Sequence, residues 1–304
     1  MPTVGSVHVN APLTNVAIQY KNLALVGEKI FPVVPVVKES DVYYVFQQEE
    51  LVLEDSLRAP GAKVKEIQWD VTTSTYTAQE HALGFLLPDR IVNNADVPIR
   101  PRITTTQKLM KKILLGAERR IQLVVQDTAN VGGSATPSIK WDGTSPTIER
   151  NVDTAKNSIR TTAGIDPTSI VIPYQVSQTV KRDTTVRDLI RYTIPANELL
   201  RNGDLPPVIW NLEVIVAGAI YNSANEGQAQ TLTDIWTDNV LVFYKENVPS
   251  LDTLSLGYVM RVNAPIVKTY RVEERAGEMI EVSILQAEEI VATGAGYLIT
   301  DTLA

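Results

Sequence analysis

The sequence predicts an α+β fold from three features that follow one another along its 304 residues. The first is a long β-hairpin from Asp41 to Tyr76, and the second is an amphipathic helix over residues 104–127. The third is a return to strand patterns from Ala264 to the end of the chain. Between the helix and these strands, residues 150–262 alternate between strand and helix patterns, which is typical of an inserted α/β domain.

The composition argues against several classes of function. A net charge of −7 disfavours general electrostatic capture of nucleic acid. There is no cysteine, and the two histidines, His8 and His81, are far apart, so neither a zinc site nor a Ser-His-Asp triad is expected. No complete phosphate-binding glycine motif occurs. We therefore predict a protein that is not an enzyme, with no catalytic residue, no metal and no cofactor.

The N-terminal 35 residues predict an arm rather than a domain. Their prolines push the preceding residues out of the helical region, and their apolar stretches are too short to form a core. They lack the basic segment followed by an apolar segment that is typical of a secretory signal. The whole chain contains no apolar run of 18 residues. We expect no membrane association, and a protein that is made and acts in the cytoplasm or in something assembled there.

The hairpin is the most informative segment because it is too long for the apolar sequence that surrounds it. Its arms, DVYYVFQQEELVLE and KVKEIQWDVTTSTYTA, are rich in strand formers, and Pro60-Gly61 supplies the turn between them. Each arm of about 12 residues spans roughly 40 Å. Because an isolated hairpin is marginally stable in water, its length predicts a partner surface.

Charged residues surround the predicted tip of the hairpin. They are either ordinary solvated charges or complementary contacts between neighbouring copies, which would set register more than affinity. The candidate intersubunit residues are Glu49, Glu50, Glu54, Asp55, Arg58, Lys63 and Lys65.

The amphipathic helix is predicted to begin at a threonine cap within residues 104–106. Its apolar stripe needs an apolar surface to cover it, and a sheet built from the C-terminal strands is the obvious candidate. Lys108, Lys112 and Arg119 fall together on the opposite side of the helix. They are either solvent-facing or a positive stripe that faces enclosed nucleic acid or an acidic partner.

The remaining elements are short. We predict a helix that ends at Gly164, a buried strand over Ser169–Tyr174, and one or two short helices before residue 194. Near the C-terminus we predict strands over Ile266–Val272 and Met279–Gln286, joined by a tight turn, with further strand beyond residue 288. Proline-punctuated residues 83–102 are expected to be a connection.

This order of parts resembles the major capsid proteins of tailed bacteriophages, which have the Hong Kong 97-type fold. The segments that carry the resemblance are YKNLALVGEKIFPVVPV, the hairpin with its flanks, and APIVKTYRVEERAGEMIEVSILQAEEIVATGAGYLI. The resemblance implies an N-terminal arm over 1–35, an extended β-hairpin loop over 36–90, a peripheral domain over 91–149 and 263–304 with the spine helix 104–127, and an axial domain over 150–262.

The resemblance also implies a function and partners. Many copies would form hexamers and pentamers of an icosahedral head shell that encloses double-stranded DNA without sequence-specific binding. Further partners would be a separate scaffolding protein, a portal and a possible decoration protein, with assembly in the host cytoplasm and a final place in the virion. Three alternatives stay open: an encapsulin-like nanocompartment, a carboxylate-dependent hydrolase, and a phage tail or decoration protein.

Overall fold

The structure is a computed structural model of the chain. It describes residues 8–9, 13–14, 17, 25–45, 53, 56–58, 60–61, 63–64, 66, 72–94, 100–193, 205–225, 227–246, 248 and 254–304. The helices of these ranges are α1 Gly27–Ile30, α2 Asp89–Asn93, α3 Pro101–Val125, α4 Ile148–Ala163, α5 Tyr174–Val180 and α6 Thr184–Thr193. The strands of the first half are β1 His8–Val9, β2 Val33–Pro35, β3 Ser40–Val45, β4 Thr72–Thr77, β5 Gln79–Pro88 and β6 Ser134–Ala135. Those of the second half are β7 Ser169–Pro173, β8 Val208–Ile209, β9 Leu212–Ala217, β10 Ile220–Asn222, β11 Leu232–Asp234, β12 Val240–Phe243, β13 Gly257–Arg261, β14 Ile266–Val272, β15 Gly277–Ile290 and β16 Gly296–Ile299.

The first sheet is built around β15, the longest strand described. Its order is β1-β14-β15-β13-β2, and β5 pairs with β15 on the other edge. Helix α3 lies on one face of this sheet, where Leu109 and Ile113 pack against Ile280 and Val282. The prediction that the C-terminal strands cover the helix is confirmed. We call this sheet with α3 the first lobe.

The second sheet has the order β6-β16-β12-β7-β9-β8 and forms the second lobe with α4. Alternate residues of β7 point to opposite faces of the sheet. Ile170 and Ile172 pack with Ile159 of α4, whereas Val171 belongs to a core that also contains Ile121 of α3. Because both faces of β7 are covered, its sequence SIVIP is almost continuously apolar. The strand is therefore packed between α4 on one face and the core that contains Ile121 of α3 on the other.

The predicted hairpin is confirmed at its base. β3 and β4 pair antiparallel from Ser40 opposite Thr77 to Val45 opposite Thr72. Two buried tyrosines hold this base to the body: the hydroxyl of Tyr43 donates to the carbonyl of Ile290, and that of Tyr76 donates to the carbonyl of Lys38, each at 3.1 Å.

The predicted limits of the long helix were wrong at both ends. Helix α3 begins at Pro101 rather than at residue 104, and Val125 is its last residue. Proline is favoured in the first helical turn, because its fixed φ suits the helix and its missing N–H would have no partner there. None of the predicted threonines is the cap. The hydroxyl of Thr106 instead donates to the carbonyl of Arg102 inside the helix, at 3.0 Å.

The predicted connection over residues 83–102 was also wrong. Its first part is the end of β5, which pairs with β15 over ten residues. Pro88 is tolerated because β5 pairs with β15 alone among the described strands and is therefore an edge strand. In the C-terminal region, β15 is one continuous strand from Gly277 to Ile290, where two had been predicted. The predicted tight turn before it is present, with Ala276 at a φ of 42°.

The predicted domain boundaries stay a prediction. Three strands, however, join the sheet that is built mainly from the other predicted domain. β13 falls in the predicted axial segment and joins the first sheet. β6 and β16 fall in the predicted peripheral segments and join the second sheet. The chain therefore crosses between the two lobes more often than one simple insertion would require.

Candidate assembly interface

Most of the predicted charged residues of the hairpin tip lie outside the described residues. These are Glu49, Glu50, Glu54, Asp55 and Lys65. The two that the structure describes, Arg58 and Lys63, are exposed. Whether the tip charges contact another copy stays a prediction.

Three large apolar side chains at the tip were missed by the sequence reasoning. Leu53 is 98% exposed, Leu57 is 91% exposed and Val64 is 66% exposed. Exposed apolar residues that cluster in one segment mark interaction surfaces more strongly than scattered ones do. A signal was present in the sequence, because LVLE and KVKE place apolar residues among the charged residues of this segment. The tip therefore offers apolar contact as well as charge.

The structure divides the predicted basic stripe of the helix. Lys108 and Lys112 are exposed, as a solvent-facing or partner-facing side requires. Arg119 is half-buried, and its guanidinium lies 5.6 Å from the centre of the Tyr221 ring. Its Nη1 also donates to the carbonyl of Ile235 at 3.3 Å. The side chain of Arg119 is thus used inside the subunit.

Helix α3 is covered on two sides over its C-terminal half. The first sheet covers one side, and the segment Ile235–Asn239 of the second lobe covers the other. Besides Arg119, Gln126 binds this segment: it accepts from the hydroxyl of Thr237 at 2.8 Å and donates to the carbonyl of Asn239 at 3.4 Å. A helical wheel describes one isolated helix, so it does not predict contacts with this second surface.

The most unusual side chain of the helix is Glu118, which is buried and binds three donors from two other parts of the chain. Its Oε2 accepts from the backbone N–H of Gly27 at 2.7 Å, and both carboxylate oxygens lie 3.1 Å from the backbone nitrogen of Val26. Its Oε1 accepts from the indole Nε1 of Trp236 at 2.7 Å. Burial raises the pKa of Glu118, while the hydrogen bonds from Trp236, Gly27 and Val26 oppose that rise.

Close approach at Gly27 makes this arrangement possible. A Cβ at Gly27 would lie 2.8 Å from Cδ1 of Ile121 and 2.9 Å from Oε2 of Glu118. A side chain would therefore push α1 away from the carboxylate. The chain needs glycine here for space, and this reason for a glycine is invisible in the sequence.

A second polar connection joins the same short helix to α3. Arg120 of α3 binds Glu288 of β15 through Nε and Nη2, with the shortest contact at 2.8 Å. Glu288 accepts from Gln286, and Gln286 accepts from Arg261 of β13. Arg261 then donates to Glu28 of α1 at 2.6 Å. Two neighbouring residues of α3, Glu118 and Arg120, thus reach α1 by separate routes.

The described part of the chain has little that suggests a catalytic or membrane site. Its histidine, aspartate and glutamate side chains form no group of three or more that could hold a metal ion. Within the same residues, every helix is too short or too polar to cross a lipid bilayer.

Comparison with known proteins gives the class. No protein-family model matches the chain. The major capsid protein of Burkholderia phage BcepMu is 26% identical over 308 residues, covering 96% of this chain and 96% of that protein. A phage-related protein of Bordetella bronchiseptica, 23% identical, has a TM-score of 0.75 over 97% of this chain and 98% of its own. The capsid structure of cyanophage P-SCSP1u, 9% identical, has a TM-score of 0.62 over 89% and 86%.

These similarities extend over nearly the full length of the chain. The fold is the Hong Kong 97-type capsid fold. The function is that of a phage major capsid protein, as the sequence predicted, rather than that of an encapsulin-like shell protein. Its role is structural and not enzymatic, so the hydrolase alternative is set aside.

Proposed function

We propose that many copies of this chain form the hexamers and pentamers of a closed icosahedral head, and that each hairpin lies across a neighbouring copy. The observation that carries this proposal is the hairpin itself. Its base is anchored to the body, where Tyr43 and Tyr76 are buried. Its described tip residues are all exposed, including Leu53 and Val64. A second copy that covers the tip would bury this apolar surface.

The inner surface of the shell is the second part of the proposal. Lys108 and Lys112 are exposed on one side of α3, and we assign that side to the particle interior. With a net charge of −7, the subunit would enclose double-stranded DNA rather than grip it. Arg119 is left out of this surface because its side chain packs on Tyr221.

The remaining partners follow from the class of protein. A separate scaffolding protein, a portal and a possible decoration protein would complete the head, and assembly would take place in the host cytoplasm. The second lobe would correspond to the axial domain at capsomer centres, and the first lobe to the peripheral domain.

Deletion of residues 54–63 tests the role of the hairpin. The variant should remain soluble and folded, because its described residues in that range are exposed and α3 and both sheets are untouched. We expect it to form no closed shells in negative-stain electron microscopy. The control is Val37→Ser, which changes a residue that is exposed but lies outside the tip. Normal shells from the deletion variant would contradict the proposal.

A further inference from the structure

Three separate parts of the subunit meet at the carboxylate of Glu118. The N-terminal segment 25–31 supplies the N–H groups of Val26 and Gly27, α3 supplies the carboxylate, and the second lobe supplies the indole of Trp236. We call this set of residues the lobe junction. None of the three donors belongs to a charged side chain, so among the described residues the carboxylate is stabilised by uncharged N–H donors.

We propose that Glu118 is a positioning residue that couples the docking of segment 25–31 to the orientation of the second lobe. This proposal rests on the proposed shell function for its consequence, because the relative orientation of the parts of a subunit helps to set the curvature of a shell. The coupling itself is a property of the single subunit. It therefore can be tested whether or not shells form.

The geometry gives the junction its specificity. All described polar contacts of the Glu118 carboxylate are donors, so both oxygens must accept. A glutamine at this position has one oxygen and one NH₂ group. If its oxygen accepts from Val26 and Gly27, then its NH₂ group faces the indole N–H of Trp236. Two donors that face each other cannot form a hydrogen bond, so one connection is lost.

The same argument predicts a rescue. Phenylalanine at position 236 has no N–H, so Trp236→Phe removes the facing donor in the Glu118→Gln background. The glutamine can then accept from Val26 and Gly27 without conflict. The effects of the two substitutions should therefore be strongly non-additive. A role in general stability alone would make the double variant worse than either single variant.

Hydrogen exchange of the unassembled full-length subunit, followed by mass spectrometry over residues 25–31, measures the coupling. We expect Glu118→Gln to reduce protection by about tenfold, which is the loss of one hydrogen bond. Trp236→Phe alone should also reduce protection, although Trp236 donates to Glu118 and not to the segment. The double variant should return to within about threefold of the wild type, because the donor conflict is gone.

Trp141→Phe is the matched control. Trp141 is also a buried tryptophan of the second lobe, but its indole N–H has no hydrogen-bond partner among the described residues. The control should leave the exchange of residues 25–31 unchanged. Equal effects of Trp141→Phe and Trp236→Phe would overturn the coupling, and so would wild-type protection in Glu118→Gln.

Electron microscopy of the same variants tests the consequence for assembly. If the wild type forms shells, Glu118→Gln should broaden their diameters and Trp236→Phe should narrow them again in the double variant. Wild-type diameters in Glu118→Gln would overturn the link between the junction and shell geometry. Wild-type shells in which the hairpin contacts only its own chain would instead refute the proposed function, and the exchange results would still decide the coupling.

Discussion

At the scale of single residues, the chain places a carboxylate in its buried interior, where charged residues are seldom found. Glutamate is rarely buried unless it is paired or hydrogen-bonded, and no pattern in the sequence singles out Glu118. Glu118 is buried because the donors of Val26, Gly27 and Trp236 replace water. These donors lie about 90 and 118 positions away along the chain. No local pattern connects them, and this part of the structure therefore could not be predicted.

Glu118→Ala should be among the most destabilising single substitutions in the protein. It leaves the N–H groups of Val26 and Gly27 and the indole of Trp236 buried without an acceptor, at about 1–3 kcal/mol for each donor that water does not reach. We expect the free energy of unfolding to fall by about 3 kcal/mol in urea denaturation. Glu274→Ala, at an exposed position, should change it by less than about 0.5 kcal/mol. Similar values for the two variants would refute this prediction.

The same residue predicts a pH dependence. Burial raises the pKa of Glu118 above its ordinary value of 4.5, so the folded chain holds the proton at pH values where the unfolded chain has lost it. The contribution of Glu118 to the unfolding free energy therefore falls as pH rises from 4.5 through the folded-state pKa. The Glu118→Gln variant has no ionisable group at position 118. The unfolding free energy of the wild type minus that of the variant should decrease as pH rises above about 4.5, and an increase would contradict the assignment.

At the scale of elements, alternation and periodicity located the main parts well. The base of the hairpin, α4 with its cap at Gly164, and β14 were predicted because each has a strong local pattern. β5 was missed because Gly84 and Pro88 are typical of loops. The pairing of β5 with β15 stabilises it as a strand, and pairing partners distant in sequence are not visible in a local pattern.

Helix α3 is attached to β15 by an ion pair near each of its ends. Arg102 binds Glu278 at 2.7 Å, and Arg120 binds Glu288 at 2.8 Å. The two pairs differ in exposure: the side chains are 53% and 23% exposed in the first, and 32% and 9% exposed in the second. The second pair is therefore less accessible to water, so water would solvate its remaining charge less well if one partner were removed.

Removal of the two arginines should consequently have unequal effects. We expect Arg120→Ala to reduce the free energy of unfolding by about 2–3 kcal/mol, because it leaves the carboxylate of Glu288 nearly buried without its cation. Arg102→Ala is the matched control and should cost less than about 1 kcal/mol. Thermal or urea denaturation of both variants measures the difference. An equal loss in the two variants would show that exposure does not govern these pairs.

At the scale of the whole molecule, the order of parts was a better guide than any single residue. The arm, hairpin, long helix, inserted lobe and closing strands together predicted the Hong Kong 97-type fold, and that prediction is confirmed. The predicted functional residues stay a prediction, and the structure adds two observations about them. Arg119 packs inside the subunit, and the apolar side chains Leu53 and Val64 at the tip were overlooked. Charges are easy to find in a sequence, whereas exposure depends on the complete fold.

The central claim is that this subunit closes into shells by laying its hairpin across its neighbours. Cryo-electron microscopy of the purified full-length protein under assembly conditions tests it most directly. We predict closed icosahedral particles in which residues 53–64 of each copy are covered by another copy. Particles in which these residues contact only their own chain would contradict it.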